Sequence, residues 1–420
     1  MRKIGTLTLL VGLAACGSSP DVEPLGVGGG LATGGSGVGA GLSVSSGGMG
    51  GGGGAVAPNV LEQRVRHALD FAEQQLAAAV AEVGHFAQYP ETAEDGAWTQ
   101  VDAAAWTSGF FAGCLWLMHE HTGRGDFRAW AEQWTATLDN RKYATGTHDV
   151  GFQIMSSYGQ GLRIAAVAGY QDVLLTAASS LDTRYDSDVG CIRSWDWGGW
   201  AYPVIIDGMM NLELMLEAAS RGGPAALRDH AVRHAERTAA EHIRADGTTY
   251  HVVDYDPASG DVLWRGHAQG ATDESTWARG MAWGIYGFTM VHRHTGEPAM
   301  LATAERLAGW FIDHLPADHI PYWDFEAPDL PHEPRDTSAA AIAASALMDL
   351  ADAVSDPARS ATYRDAAHSI LHSLTSTDYL AEGTSSSAIL RHGYYHGPKS
   401  VIFGDYYFIE AALRYLYGPR

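Results

Sequence analysis

The sequence predicts an all-α fold, an (α/α)6 toroid in which six helical hairpins pack in a ring, with one small β-hairpin excursion. Two observations carry this expectation. From Pro58 onward, apolar residues recur at helical spacing in twelve runs, most of them separated only by short Gly, Pro or Asp punctuation. No self-similarity of fixed period runs through them, which argues against a linear solenoid of stacked repeats. In a ring of hairpins the inner helices meet at one end around a cavity, and the loops at that end carry the chemistry.

Two segments that build no core precede this body. Arg2 and Lys3 lead into an apolar run from Ile4 to Leu13 that is too short to span a bilayer, the pattern of a secretory signal over residues 1–16. It ends in Leu13-Ala14-Ala15-Cys16, which resembles a bacterial lipobox and makes Cys16 the expected lipidated first residue of the mature chain. The expected location is therefore the cell envelope, with the protein exported and held to a membrane by its acyl chains. Residues 17–57 are the expected tether, mostly Gly between Gly26 and Gly54, with a reach of roughly 30 Å for a flexible chain of that length. The catalytic body is expected over residues 58–420.

Along that body, Asn59 is the expected cap of a first helix whose stripe is Leu61, Val65, Leu69, Ala72, Leu76 and Val80. Helical runs follow at about 104–121, 127–139, 150–168, 171–181, 207–220, 225–244, 275–294, 298–314, 336–353, 358–375 and 404–417. One interruption alternates like a strand, Thr248 to Tyr255. A turn at Asp256 to Asp261 and then Val262-Leu263-Trp264 complete a hairpin. The net charge of −22 excludes a nucleic-acid binder and a protein that grips polyanions over a broad basic face, so contacts to an anionic ligand must be few and local. Three cysteines, Cys16, Cys114 and Cys191, form neither a disulfide framework nor a zinc spacing, and no metal or organic cofactor is expected. Cys114 falls in an apolar helical run and reads as a buried, inert thiol.

The stretch from Trp200 to Met215 drives one acid, Asp207, into an apolar run, and burying an ionised carboxylate is costly unless it is paired. Two readings stay open: a helix N-cap, or a proton donor kept protonated by apolar walls and aimed into the cavity. His148 and Asp149 stand at the head of another apolar helix, where the acid is either a cap or a second active carboxylate. In the segment Asp273 to Phe288, Asp273 or Ser275 is the expected cap. Arg279 then falls near the first turn, where anions are favoured, with Trp277 and Trp283 close by to suit a sugar ring bearing a carboxylate.

Five motifs, HDVGF from His148, IIDGMMN from Ile205, TWARGMAWGIYGF from Thr276, DTSAAAIAA from Asp336 and GDYYFIEAAL from Gly404, resemble glycoside hydrolase family 88, the unsaturated glucuronyl hydrolases. The resemblance runs from about Trp106 to the C-terminus. Met281 and Gly208 depart from it, standing where the family pattern commonly has Gln and Asn. It implies a substrate with a Δ4,5-unsaturated uronic acid at its non-reducing end, the product of a polysaccharide lyase. It also implies Asp207 as the general acid/base, which protonates C4 of the vinyl ether and helps water add at C5, and Asp149 as the second carboxylate. By the same resemblance His148, His251, Gln269, Trp277 and Arg279 fall at substrate-contacting positions, and Trp106, Phe152 and Trp283 wall the sugar. Lys399 and Ser400 are placed in a loop before the last helix. An unsaturated rhamnogalacturonyl hydrolase and a glycan-binding lipoprotein without turnover are the alternative readings.

Overall fold

The computed structural model describes residues 58–93 and 96–419, so the expected signal, Cys16 and the Gly-rich segment lie outside the described residues. Outer and inner helices alternate along the chain. The outer ones are α1 (Pro58–Val83), α3 (Gly125–Ala136), α6 (Tyr170–Asp182), α8 (Ala226–Glu241), α10 (Pro298–Asp313) and α12 (Pro357–Leu374). The inner ones are α2 (Ser108–Thr122), a rod made of α4 (Val150–Ile154) and α5 (Gln160–Ala165) joined by a π-helical turn at Met155–Gly159, then α7 (Gly208–Ser220), α9 (Ala278–Thr295), α11 (Thr337–Ala353) and α13 (Ile402–Tyr417). Each inner element packs on the next, and α13 returns to α2. The ring is closed, as the toroid requires, and α1 packs across the seam against α12 and α13.

Residue choice explains which helix goes where. Outer α1 buries one stripe, Leu61, Val65, Leu69, Ala72 and Leu76, and offers its other face to water. Inner α11 is buried at every position from Thr337 to Ala351, and its alanines let neighbours approach closely. Glycine serves the same end where helix axes nearly touch. A Cβ on Gly287 would stand 2.4 Å from Cβ of Met209, locking α9 against α7 next to Asp207. Cys114 and Cys191 are both buried, which pushes their thiols up and leaves them inert.

The β content exceeds the single hairpin expected from sequence. The hairpin itself is present as β6 (Val252–Tyr255) and β7 (Val262–Gly266), but β5 (Pro203–Ile205) pairs with β6 to make a third strand. β3 (Tyr185–Asp186) and β4 (Cys191–Ile192) form a ribbon. β1 (Tyr89–Ala93), β2 (Trp98–Val101), β8 (Gly393–Tyr394) and β9 (Pro398–Val401) form a sheet ordered β2-β1-β9-β8. These strands are too short to show a period of two, and β1 and β9 meet only through the closed ring. Lys399 and Ser400 therefore lie on a strand. Helix starts also move: α1 begins at Pro58, which puts Asn59 inside its first turn, and α9 begins at Ala278 because Trp277 is extended and bridges to Asp324.

Gly287→Ala is expected to lose about 1–3 kcal/mol, the usual cost of overpacking, read as a lower urea midpoint at unchanged slope. An unchanged midpoint would show that α7 and α9 have room to part.

Candidate active site

All six inner helices run the same way, because each is preceded by an outer one that packs antiparallel, so the segments that lead into them gather at one end of the ring. Asp207 arrives there from β5. Ile205 lies opposite Val252, and the Ile206 N–H donates to the His251 carbonyl at 3.0 Å, which sets Asp207 beside His251. The backbone of Asp207 takes the N-cap position of α7, yet its side chain accepts no capping bond. The cap reading is thereby excluded.

The Asp207 Oδ2 is instead buried without a hydrogen-bond partner among the described residues, 3.5 Å from Nε2 of His251. His251 Nδ1 accepts the N–H groups of Ala268 and Gln269 at 3.0 and 3.2 Å, so the ring proton sits on Nε2 and faces the carboxyl group. That Nε2 is unpartnered too. Leaving a buried polar group unsatisfied costs about 1–3 kcal/mol, and two such groups facing one another mark a place where a ligand completes the bonding. The Asp207 side chain keeps 11 % of its surface exposed, so it is open to the mouth.

Asp149 is more open, 27 % exposed, and it too caps nothing with its side chain. Thr147 Oγ1 donates to its Oδ2 at 2.6 Å, and His148 Nε2 lies 3.3 Å from its Oδ1. Burial pushes its carboxyl up, but His148, Thr147 and the Arg184 guanidinium together outweigh this and hold it below the usual carboxylate range. The His148 imidazole also lies beside the residue that follows Asp207. Nδ1 of His148 is 3.6 Å, and Nε2 of buried His234 3.1 Å, from where a Cβ would stand on Gly208, the residue after Asp207. Gly208 is thus a close-approach glycine, and His234, pushed down to about 3 by burial, stays neutral beneath it.

An aromatic wall stands opposite. Trp106 lies 5.3 Å from Phe152 and 4.9 Å from Phe403 between ring centroids, and its Nε1 donates to the Tyr395 hydroxyl at 3.1 Å. Asn211 on α7 accepts the Phe152 N–H at 2.7 Å and so fixes that ring's backbone to the helix of Asp207. Trp283 is fully buried 5.2 Å behind Phe152 and supports the wall from the rear. Met281 is fully buried as well. Trp277 lies between the His251 ring, 4.5 Å away, and the Arg279 guanidinium, also at 4.5 Å.

Arg279 is committed within the chain more fully than its sequence context suggests. Nη1 donates to Asp336 Oδ2 at 2.9 Å and to the Tyr394 carbonyl at 2.6 Å, while Nη2 donates to Gln269 Oε1 at 2.8 Å. Asp336 also caps α11, accepting from the Ser338 and Ala339 N–H groups. The expected cap at Ser275 is absent, since that hydroxyl donates to Asp324 at 2.7 Å and braces the loop that carries Gln269. Sequence reasoning missed the supporting roles of Thr147, His234, Asp324 and Tyr395. Only Thr147, adjoining the His-Asp pair, carried a local signal. A separate cavity of about 270 Å³ opens behind Phe152 toward the other end of the ring. Its walls include Glu213, Arg293, Glu410 and Arg414, and among the nominated residues it touches only Phe152.

An unpartnered carboxyl group beside a histidine and aromatic rings suits acid chemistry on a sugar, and the ring is the helical toroid that several glycoside hydrolases use. No family model matches the chain. Over 327 residues, 75 % of this chain and 81 % of the relative, it is 42 % identical to an unsaturated glucuronyl hydrolase of Formosa agariphila. The crystal structure of an unsaturated glucuronyl hydrolase specific for heparin superposes with a TM-score of 0.81 at 38 % identity, covering 86 % of this chain and 97 % of the other. An aspartate-to-asparagine variant of the Streptococcus agalactiae unsaturated glucuronyl hydrolase, complexed with dGlcA-GalNAc6S, superposes at 0.74 and 29 % identity over 86 % and 93 % of the two chains. On that extent of likeness, the chain belongs to the unsaturated glucuronyl hydrolases.

The two capping positions make opposite stability predictions. Asp207→Ala should spare the fold the roughly 1 kcal/mol loss of a removed cap, whereas Asp336→Ala should cost about 3–5 kcal/mol by stranding buried Arg279. Urea denaturation of both variants decides. A loss of about 1 kcal/mol in Asp207→Ala would restore it to a capping role.

Proposed function

We propose that this protein removes the Δ4,5-unsaturated uronic acid from the non-reducing end of lyase-generated oligosaccharides. The observation that carries the reading is the unpartnered Oδ2 of Asp207 facing the Nε2–H of His251 in a mouth walled by Trp106 and Phe152. Asp207 in its acid form gives a proton to C4, and positive charge develops at C5 and the ring oxygen. Water then adds to C5 and returns its proton to the same carboxylate. The hemiketal so formed opens to a ketone, and the hemiacetal left at C1 collapses and releases the sugar. This is hydration of an alkene, so the separation rule for retaining and inverting carboxylates does not apply.

Asp149, ionised down to low pH, supplies a negative charge that favours the oxocarbenium-like charge of the reaction. His148 orients Asp149, and His251 donates to the substrate beside Asp207. Arg279 holds Gln269 by its Oε1, which leaves the Gln269 amide nitrogen to donate to the uronate. Trp277 keeps Arg279 and His251 at their spacing.

Asp207→Asn should keep the fold and lose at least about 10²–10⁴ in kcat, because acid and base roles vanish together; loss of alkene ultraviolet absorbance is the assay. Near-normal turnover would refute the assignment. His148→Gln removes the imidazole that helps hold Asp149 low, so the carboxyl group takes up its proton at higher pH. The acidic limb of the kcat/KM profile should move upward, and an unmoved limb would leave Asp149 without a part in the reaction. Chondroitin-type, heparin-type and pectin-type unsaturated disaccharides assayed in parallel would separate a glucuronyl from a rhamnogalacturonyl hydrolase. Binding without loss of absorbance would mark a glycan-binding protein instead.

Export and anchoring belong to the same proposal and rest on the apolar run before Leu13-Ala14-Ala15-Cys16. Cys16→Ser should release the protein from the membrane fraction on cell fractionation; continued membrane retention would overturn the anchor.

A further inference from the structure

A second aromatic surface adjoins the mouth and takes no part in the chemistry just described. Trp195, Trp197 and Trp200 lie on the segment between β4 and β5, and Trp264 lies on β7. Trp195 and Trp197 stack with centroids 4.8 Å apart and planes 16° apart. Trp200 meets Trp195 edge-on at 5.5 Å and stands 6.4 Å from Trp264. Trp197 is 65 % exposed, an unusual position for so large an apolar side chain, and the side of its ring turned away from Trp195 stands in solvent. The turn is built to hold this arrangement. Gly198 has φ 85°, and a Cβ there would meet the Trp200 ring at 2.5 Å.

The platform is continuous with the site. Trp195 forms a β-bridge with Thr147, whose hydroxyl donates to Asp149, and the adjacent His148 N–H donates to the Ser194 carbonyl at 3.0 Å. Beneath, Trp195 packs on Ile205 and Val252, the strand residues that lead to Asp207 and follow His251. The Trp195 Nε1 is buried and makes no hydrogen bond among the described residues. Sugars leaving the mouth on this side would meet the exposed Trp197 ring, and the C–H face of a pyranose can stack on indole as other apolar faces do.

We propose that these tryptophans form a distal subsite for the reducing-side sugars of a longer oligosaccharide. The protein then favours long lyase products over disaccharides. This rests on the terminal-uronate reading of Asp207, and it is tested separately from it. The kcat/KM of the full protein is measured on an unsaturated disaccharide and on the hexasaccharide from the same polysaccharide, for wild type and Trp197→Ala. Wild type should favour the hexasaccharide roughly three- to tenfold, the scale of one aromatic stacking contact. Trp197→Ala should bring the ratio to about one and leave disaccharide turnover unchanged. A wild-type ratio of one, or an equal loss on both substrates, overturns the subsite and leaves the function standing. Calorimetry of hexasaccharide binding to Asp207→Asn, with and without Trp197→Ala, decides the subsite even where turnover fails. Equal affinities sink it. Sedimentation analysis adds one more outcome: a dimer that Trp197→Ala dissolves, with the length ratio unaltered, makes the platform a contact between copies and removes the proposal.

Discussion

The antiparallel register of β5 on β6 is the constraint on which the mouth depends. Ile205 opposite Val252 and the Ile206 bond to the His251 carbonyl set Asp207 one residue past the last backbone bond, about to enter α7, with His251 just ahead of β6. A slip of one residue would turn Asp207 to the other face. The amides of Ala268 and Gln269 then hold the tautomer of His251, so the proton points at the acid. Three backbone segments distant in sequence thus decide the environment of one carboxyl group.

A second buried charge, handled in the opposite way, shows why Asp207 stands out. Asp336 is fully buried, and its oxygens receive Arg279, Ser338, Ala339 and the Tyr394 N–H. Both oxygens are bonded and the charge is paired with a guanidinium, which is how buried ions are ordinarily tolerated. Two acids at the starts of two inner helices have similar burial and contrary bonding. One ties α11 to α9 and to the β8–β9 hairpin, and the other is left for a ligand.

The ring and its twelve rods were legible because helical periodicity is a local property, repeated over ten or more residues in each run. The stretch around Asp207 was legible for the energetic reason that an acid among Ile206, Met209 and Met210 requires an explanation. The short strands were not legible, since β1 and β9 acquire their pairing only when the chain's two ends meet. Nor was the commitment of Arg279. Its context advertised an anion ligand, and the partner that claims it, Asp336, lies in another hairpin. Trp197 could be read only as one more tryptophan, because nothing local tells an exposed ring from a core one. The caps failed for a related reason: Asp and Ser at helix starts are common, and whether their oxygens turn back to the helix or outward depends on neighbours from other hairpins.

The seam between α13 and α2, crossed by α1 and by the pairing of β1 with β9, bears on how the molecule is made. The final sixteen-residue helix supplies Phe403 to the aromatic wall, and the hairpin just before it supplies Tyr394 and Tyr395. Until α13 docks, five-sixths of the inner ring has no closing wall for its apolar bore, and the mouth lacks Phe403. Closure through contacts so distant in sequence slows folding and keeps apolar surface open until the seam forms.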